Sequence, residues 1–216
     1  MGAKTWMLAY VEDSAADILT SKPVLDRKRA AALAQQLFPK EQVETTDDGN
    51  LAYTCPRRKE LYVGCFPGVD IVAAREFRLD FPSKLPRYFI ELGGQRSVYL
   101  HAMHSVADWF AYAIWRNGKL IRSLSAAPDN GVMEDIGERR PFELPYWFGQ
   151  HPALGPEEEA EGISYPLPFH PLELGEAALL DLFGYQLEGF AETSLFDPET
   201  ISLAGFKRNS SWWKFW

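Results

Sequence analysis

The chain of 216 residues has little cysteine, no long apolar run and no surplus of positive charge. Its two cysteines, Cys55 and Cys65, are too few for a structural zinc site without histidine partners. If LAYTC and ELYVGC flank PRRK as a hairpin, Cys55 faces Glu60 and Cys65 faces Asn50, so the sulfurs sit at opposite ends and are expected as free, buried thiols. No apolar stretch approaches the roughly 20 residues of a bilayer span. The opening MGAKTWMLAY is too short in its apolar part for a secretory leader, so a cytoplasmic location and no membrane partner are expected. With 22 Lys and Arg against 30 Asp and Glu, the formal charge of −8 argues against nucleic acid, because neutralising phosphates requires a cationic face. The densest basic group, Arg57, Arg58 and Lys59, reads as a solvated turn. Catalytic templates are absent too: there is no G-x-S-x-G elbow, Walker loop, G-x-G-x-x-G, H-E-x-x-H or EF-hand loop.

Aromatic residues are plentiful at 14%, which predicts a core of large rigid side chains with some left over for a binding face. Residues 5–11 (TWMLAYV) read as a strand apolar on both faces, followed by a short helical turn after Asp13 and Ser14. A helix is predicted from Asp26 to Phe38, capped by Asp26 and stopped by Pro39, with Ala30, Leu33 and Leu37 inward. VETT, LAYTC, ELYVGCF, VDIVAA and RYFIEL follow as strand candidates. WFAYAIWR and KLIRSLSA meet across Asn117-Gly118, a strong hairpin signal because both turn positions need positive φ. That turn sets Trp115 opposite Leu120, Ile114 opposite Ile121 and Ala111 opposite Leu124, and makes the first strand central in its sheet. A second helix is predicted from Pro171 to Leu187, ended by Gly189, with Leu172, Leu179, Phe183 and Leu187 buried. Residues 154–163 read as an acidic surface loop and residues 208–216 as a Trp-rich tail.

The stretch VYLHAMHSVADWFAYAIW holds two of the four histidines. On a strand, alternation puts His101 with Tyr99 and Met103 on one face and His104 with Leu100 and Ala102 on the other, so the pair cannot grip one metal, and no metal site is expected. His104 at a strand end followed by Asp108 in a bend suggests an imidazole–carboxylate pair in which Asp108 raises the basicity of a general base. Glu134 in GVMEDIGE and Asp70 in FPGVDIV are further candidate catalytic carboxylates, since a carboxylate among apolar residues is turned outward or kept for a partner. Cys65 reads as an inert core thiol rather than a nucleophile. The aromatic and Pro-rich piece PFELPYWFGQHP supplies binding candidates in Tyr146, Trp147 and His151.

Taken together, MGAKTWMLAY, YVGCFPGVDIV, VYLHAMHSVADWFAYAIW, RSLSAAPDNGVMEDIGE, PFELPYWFG and YPLPFHPLELGEAALLDLFGYQLEG resemble a family of uncharacterised bacterial proteins, a domain of unknown function. The resemblance implies a bacterial, cytosolic, single-domain protein and carries over no activity, cofactor or catalytic residue. The expected fold is α+β, one domain over residues 1–216, with a largely antiparallel sheet of six to eight strands and two main helices. The expected function is noncatalytic binding of a small molecule or protein, without a cofactor. The alternative is a hydrolase built on His104 and Asp108.

Overall fold

The apolar runs separate into strands and helices in the order β1 (Lys4–Val11), α1 (Ala15–Thr20), α2 (Arg27–Leu37), β2 (Glu41–Asn50), β3 (Glu60–Phe66), β4 (Val69–Ala74), α3 (Arg87–Glu91), β5 (Ser97–His104), β6 (Trp109–Arg116), β7 (Lys119–Ala127), β8 (Gly131–Gly137), α4 (Leu144–Trp147), α5 (Pro156–Ala160), α6 (Pro171–Phe183) and β9 (Ser202–Ser210). This computed structural model describes residues 2–188 and 193–210. The strands form one open sheet of nine, ordered β2-β9-β3-β4-β1-β5-β6-β7-β8, with every neighbouring pair antiparallel. The mixed α+β class is as expected, but the sheet has nine strands rather than six to eight. No helix among the described residues is long and apolar enough to cross a membrane.

Helices cover both faces of the sheet, which is why its central strands are apolar on both sides. On one face α2 packs Ala30, Leu33, Ala34 and Leu37 together with Phe77 and with Phe89 and Ile90 of α3. The Asp26 side chain accepts from the Arg29 amide at 2.9 Å and fixes the start of α2. On the other face α1 and α6 bury Leu19, Leu174, Ala178, Leu179, Leu182 and Phe183 against Met7, Met103 and Phe110. Each fully buried side chain of this size contributes about 1.5–3 kcal/mol, so the two apolar layers are the main source of stability. Gly175 permits close approach of α6: an added Cβ would meet the Phe110 ring at 3.0 Å and Met103 Sδ at 3.1 Å.

Several expectations change. RYFIEL is not a strand; residues 87–91 are helical, with Phe89 and Ile90 packed inward while Arg87 and Glu91 pair on the outside at 2.8 Å. LAYTC and ELYVGC do not form a hairpin, because β3 pairs with β4 and β9, while Thr54 makes only an isolated parallel bridge to Thr5. Both cysteines are free; Cys65 is buried and Cys55 only partly so. Gly184, at φ +82°, ends α6 well before Gly189, because its left-handed conformation leaves Leu187 beyond the helix. Leu172 is only partly buried, and Leu174, Ala178 and Leu182 form the inward stripe with Leu179 and Phe183. The 154–163 stretch contains the single helical turn α5. Of the Trp-rich tail, residues 211–216 lie outside the described residues.

The β6–β7 hairpin shows how one residue redirects a strand. Asn117 and Gly118 both have positive φ and Trp115 faces Leu120, as the turn predicts. The register then shifts: Ile114 faces Arg122, and Ala111 faces Ser125. A bulge at Ile121 is the cause, since one extra residue exchanges the faces of everything beyond it. Ile121 is left 40% exposed and Arg122 is fully buried. There Arg122 Nε and Nη2 donate to the two oxygens of Glu143 at 2.9 and 2.5 Å, and Nη1 donates to Asp135 at 2.5 Å. The Tyr112 hydroxyl donates to Glu143 Oε1, also at 2.5 Å. Glu143 closes the 3-10 turn Pro141–Glu143 that runs straight into α4, so this buried charge cluster ties α4 to the sheet.

Candidate functional site

The strand alternation of β5 sends the two imidazoles to opposite faces. His101 is completely buried; its Nδ1 accepts from Thr5 Oγ1 at 2.6 Å and its Nε2 donates to the Gly175 carbonyl at 2.9 Å. A carbonyl only accepts, so the proton resides on Nε2 and the ring is neutral. Burial pushes its pKa down to about 4. His101 thus joins β1, β5 and α6. Among the described residues no group of three or more His, Cys, Asp or Glu is arranged to hold a metal ion.

The four candidate catalytic residues do not converge. His104 Nδ1 is buried without a hydrogen-bond partner. The His104 pKa is lowered, first by burial and then by the cations Lys4 and Arg78, the reverse of the rise a carboxylate would cause. Asp108, in the β5–β6 bend with φ +44°, instead lies 3.8 Å from Nε2 of His170, a distance too long for a hydrogen bond. Asp70 is buried between Arg29 at 2.9 Å and Arg96 at 2.6 Å. Glu134 accepts from the Ser83 amide at 3.0 Å and its hydroxyl at 2.5 Å, and from the Ser123 hydroxyl, and so pins the 3-10 turn Pro82–Lys84 to β7 and β8.

Two of the three binding candidates do meet. Tyr146 on α4 and His151 stack at 4.6 Å with 27° between ring planes, and both line a cleft of about 600 Å³ whose floor is the outward face of α6. Helical spacing places Glu173, Glu176, Ala177 and Leu180 on that floor, at i, i+3, i+4 and i+7. The Tyr146 hydroxyl donates to the Glu173 carbonyl at 3.2 Å and so locks α4 onto α6. Trp147 stands behind the cleft, its indole edge-on to Phe169 at 4.9 Å and under the Arg139 guanidinium at 3.8 Å. His170, at the start of α6, lines the cleft and stacks on Tyr165 at 5.7 Å.

The cleft is electrically lopsided. Glu176 is only 7% exposed, and burial raises its pKa to about 7 although its oxygens accept from the amides of Leu187 at 2.7 Å and Glu188 at 3.1 Å. Burial, with the charges of Glu173 and Glu176 adding to it, pushes the Tyr146 phenol up to about 12. Glu188 in turn accepts from the Ala3 amide at 2.7 Å, which carries the wall of the cleft across to β1. A second hollow of about 640 Å³, beside the start of β1, shares Gln186 and Glu188 with the first.

His170, Glu173 and Glu176 were missed by sequence reasoning, although HPLELGEAALL carries a signal. Glu176 lies three residues before Leu179 and seven before Phe183, at the edge of the inward stripe of α6, where a carboxylate is retained only if something uses it. No curated protein and no solved structure matches this chain. A family model, described as a family of unknown function (DUF6928), matches residues 5–206, from the opening strand through most of β9. The chain is therefore a member of that family of unknown function.

Proposed function

We propose that this is a noncatalytic binding protein of the bacterial cytosol and that its ligand, a small molecule, sits in the cleft between α4 and α6. The observation that carries this reading is the convergence of the Tyr146–His151 stack with the Glu173–Leu180 face of α6 on one hollow of about 600 Å³, a volume within the range of small-molecule sites. Apolar walls with a few polar groups suit an amphipathic ligand. The dispersal of the candidate catalytic residues, two of them engaged in buried ion pairs or hydrogen bonds, weighs against the hydrolase built on His104 and Asp108. The cytosol is the compartment that the family resemblance and the two free cysteines favour, and the charge of −8 disfavours nucleic acid.

The test is an amide-detected NMR titration of the full chain with a panel of aromatic fragments. Saturable shifts clustered on residues 144–151, 170–180 and 186–188, unaffected by His104→Ala, are expected. Shifts that centre on His104, or none at all from any fragment, refute the reading.

A further inference from the structure

We propose that the α6 cleft selects a flat aromatic molecule carrying a basic amine, with Glu173, Glu176 and Glu188 as its counter-charge. This rests on the binding reading above and names the ligand's chemistry.

Two independent features of the cleft point the same way. The Tyr146–His151 stack forms a wall of aromatic surface, and Leu172, Ala177 and Leu180 extend it with apolar surface, which fits a planar ring rather than a sugar or a free phosphate. Against that wall stand three carboxylates, and among the described residues no lysine or arginine lies within ion-pair distance of any of them. Of the other buried acids, Asp70 has two arginines and Glu143 has Arg122, while Glu134 is held by the donors of Ser83 and Ser123. Glu176 is the buried acid that lines the cleft, and it is held at its place by two backbone amides that leave each oxygen a further lone pair. An ammonium group supplies the missing charge and donors, while an anionic ligand would meet like charge.

The amine also has a protonation signature. Glu176 is raised to about 7 by burial, so an ammonium beside it favours the carboxylate and expels the proton to the buffer. The other titratable groups facing the cleft are Glu173, Glu188, Tyr146, His151 and His170.

The experiment compares tryptamine, 3-ethylindole and indole-3-propionate, which share a ring and differ in charge, by calorimetric titration of the full chain at pH 7 and low salt. Tryptamine is expected to bind at least about tenfold more tightly than 3-ethylindole, and indole-3-propionate more weakly than either. Titration in phosphate and in Tris should show release of a fraction of a proton with tryptamine alone. Glu173→Gln, on the exposed side of α6, should shrink the ratio of tryptamine to 3-ethylindole affinity several-fold. Equal affinity for all three indoles, or proton release common to all, overturns the charge selection and leaves the binding reading standing. Failure of every indole to bind up to about 5 mM to the folded protein overturns both.

Discussion

Arg122 and Glu143 have fully buried side chains joined by two parallel hydrogen bonds, and nothing but the protein compensates their charges. Replacing Arg122 with Met strands a carboxylate whose remaining partners are the Tyr112 hydroxyl at 2.5 Å and the Arg140 amide at 2.7 Å. Replacing Glu143 with Leu strands a guanidinium whose remaining carboxylate, Asp135, is itself 32% exposed. Breaking a buried pair from one side costs about 3–5 kcal/mol, a large part of the roughly 5–15 kcal/mol that separates folded from unfolded domains. For a chain of this size that is a fall in Tm of roughly 6–20 °C. In the double variant R122M/E143L neither charge is left alone, and the residual cost is chiefly the orphaned Tyr112 hydroxyl, about 1–3 kcal/mol, with a smaller part from the part-buried Arg140 amide. Urea unfolding followed by both fluorescence and circular dichroism measures all three. The double variant should be less destabilised than the sum of the singles by at least about 2 kcal/mol. Singles costing under about 1 kcal/mol, or strict additivity, would refute the claim that these two charges are buried against each other. Because Glu143 leads into α4, the singles should also broaden the amide signals of Tyr146 and Trp147, which a purely local loss would leave sharp.

Other consequences concern pH and backbone. His101 has a folded pKa near 4, below its unfolded value, so its contribution is complete above about pH 6.5 and is lost as pH falls toward 4, about 3 kcal/mol in all. Glu176 works in the opposite sense: its folded pKa near 7 lies above the unfolded value, so its contribution is complete below about pH 4.5 and is lost as pH rises through 7. The two slopes offset each other between about pH 4.5 and 6.5. Glu176→Gln should therefore make stability climb with pH across that window relative to the parent, as denaturant midpoints would record, and an unchanged pH profile would contradict the burial assigned to Glu176. At Gly137, φ is +82° and an added Cβ would meet the Ile121 carbonyl oxygen at 2.0 Å. Gly137→Ala should cost at least about 2 kcal/mol through strain and a displaced bulge, whereas Gly118→Ala, with open space around it, should cost about 1 kcal/mol or less in the same unfolding assay.

What local chemistry decides was readable in the chain. The alternation of SVYLHAMH fixes the divergence of His101 and His104, because successive side chains of a strand alternate whatever it pairs with. Asp26 and the Leu33–Leu37 spacing set α2, and Asn-Gly set the β6–β7 turn, each through contacts a few residues long. What nonlocal contacts decide was not readable. Residues 87–91 become helix because Phe89 and Ile90 find the core behind α2. The bulge that brings Arg122 inward depends on Glu143, 21 residues away, and β9 finds its place between β2 and β3. The candidate site belongs to this second kind: Tyr146 and His151 reach Glu173 and Glu176 only once α4 is tied to the sheet and Gly184 ends α6, so that the chain turns back and Leu187 and Glu188 can cap the Glu176 carboxylate. Alternation and capping act over one or two turns of chain, whereas a cleft exists only where separate elements leave a gap between them.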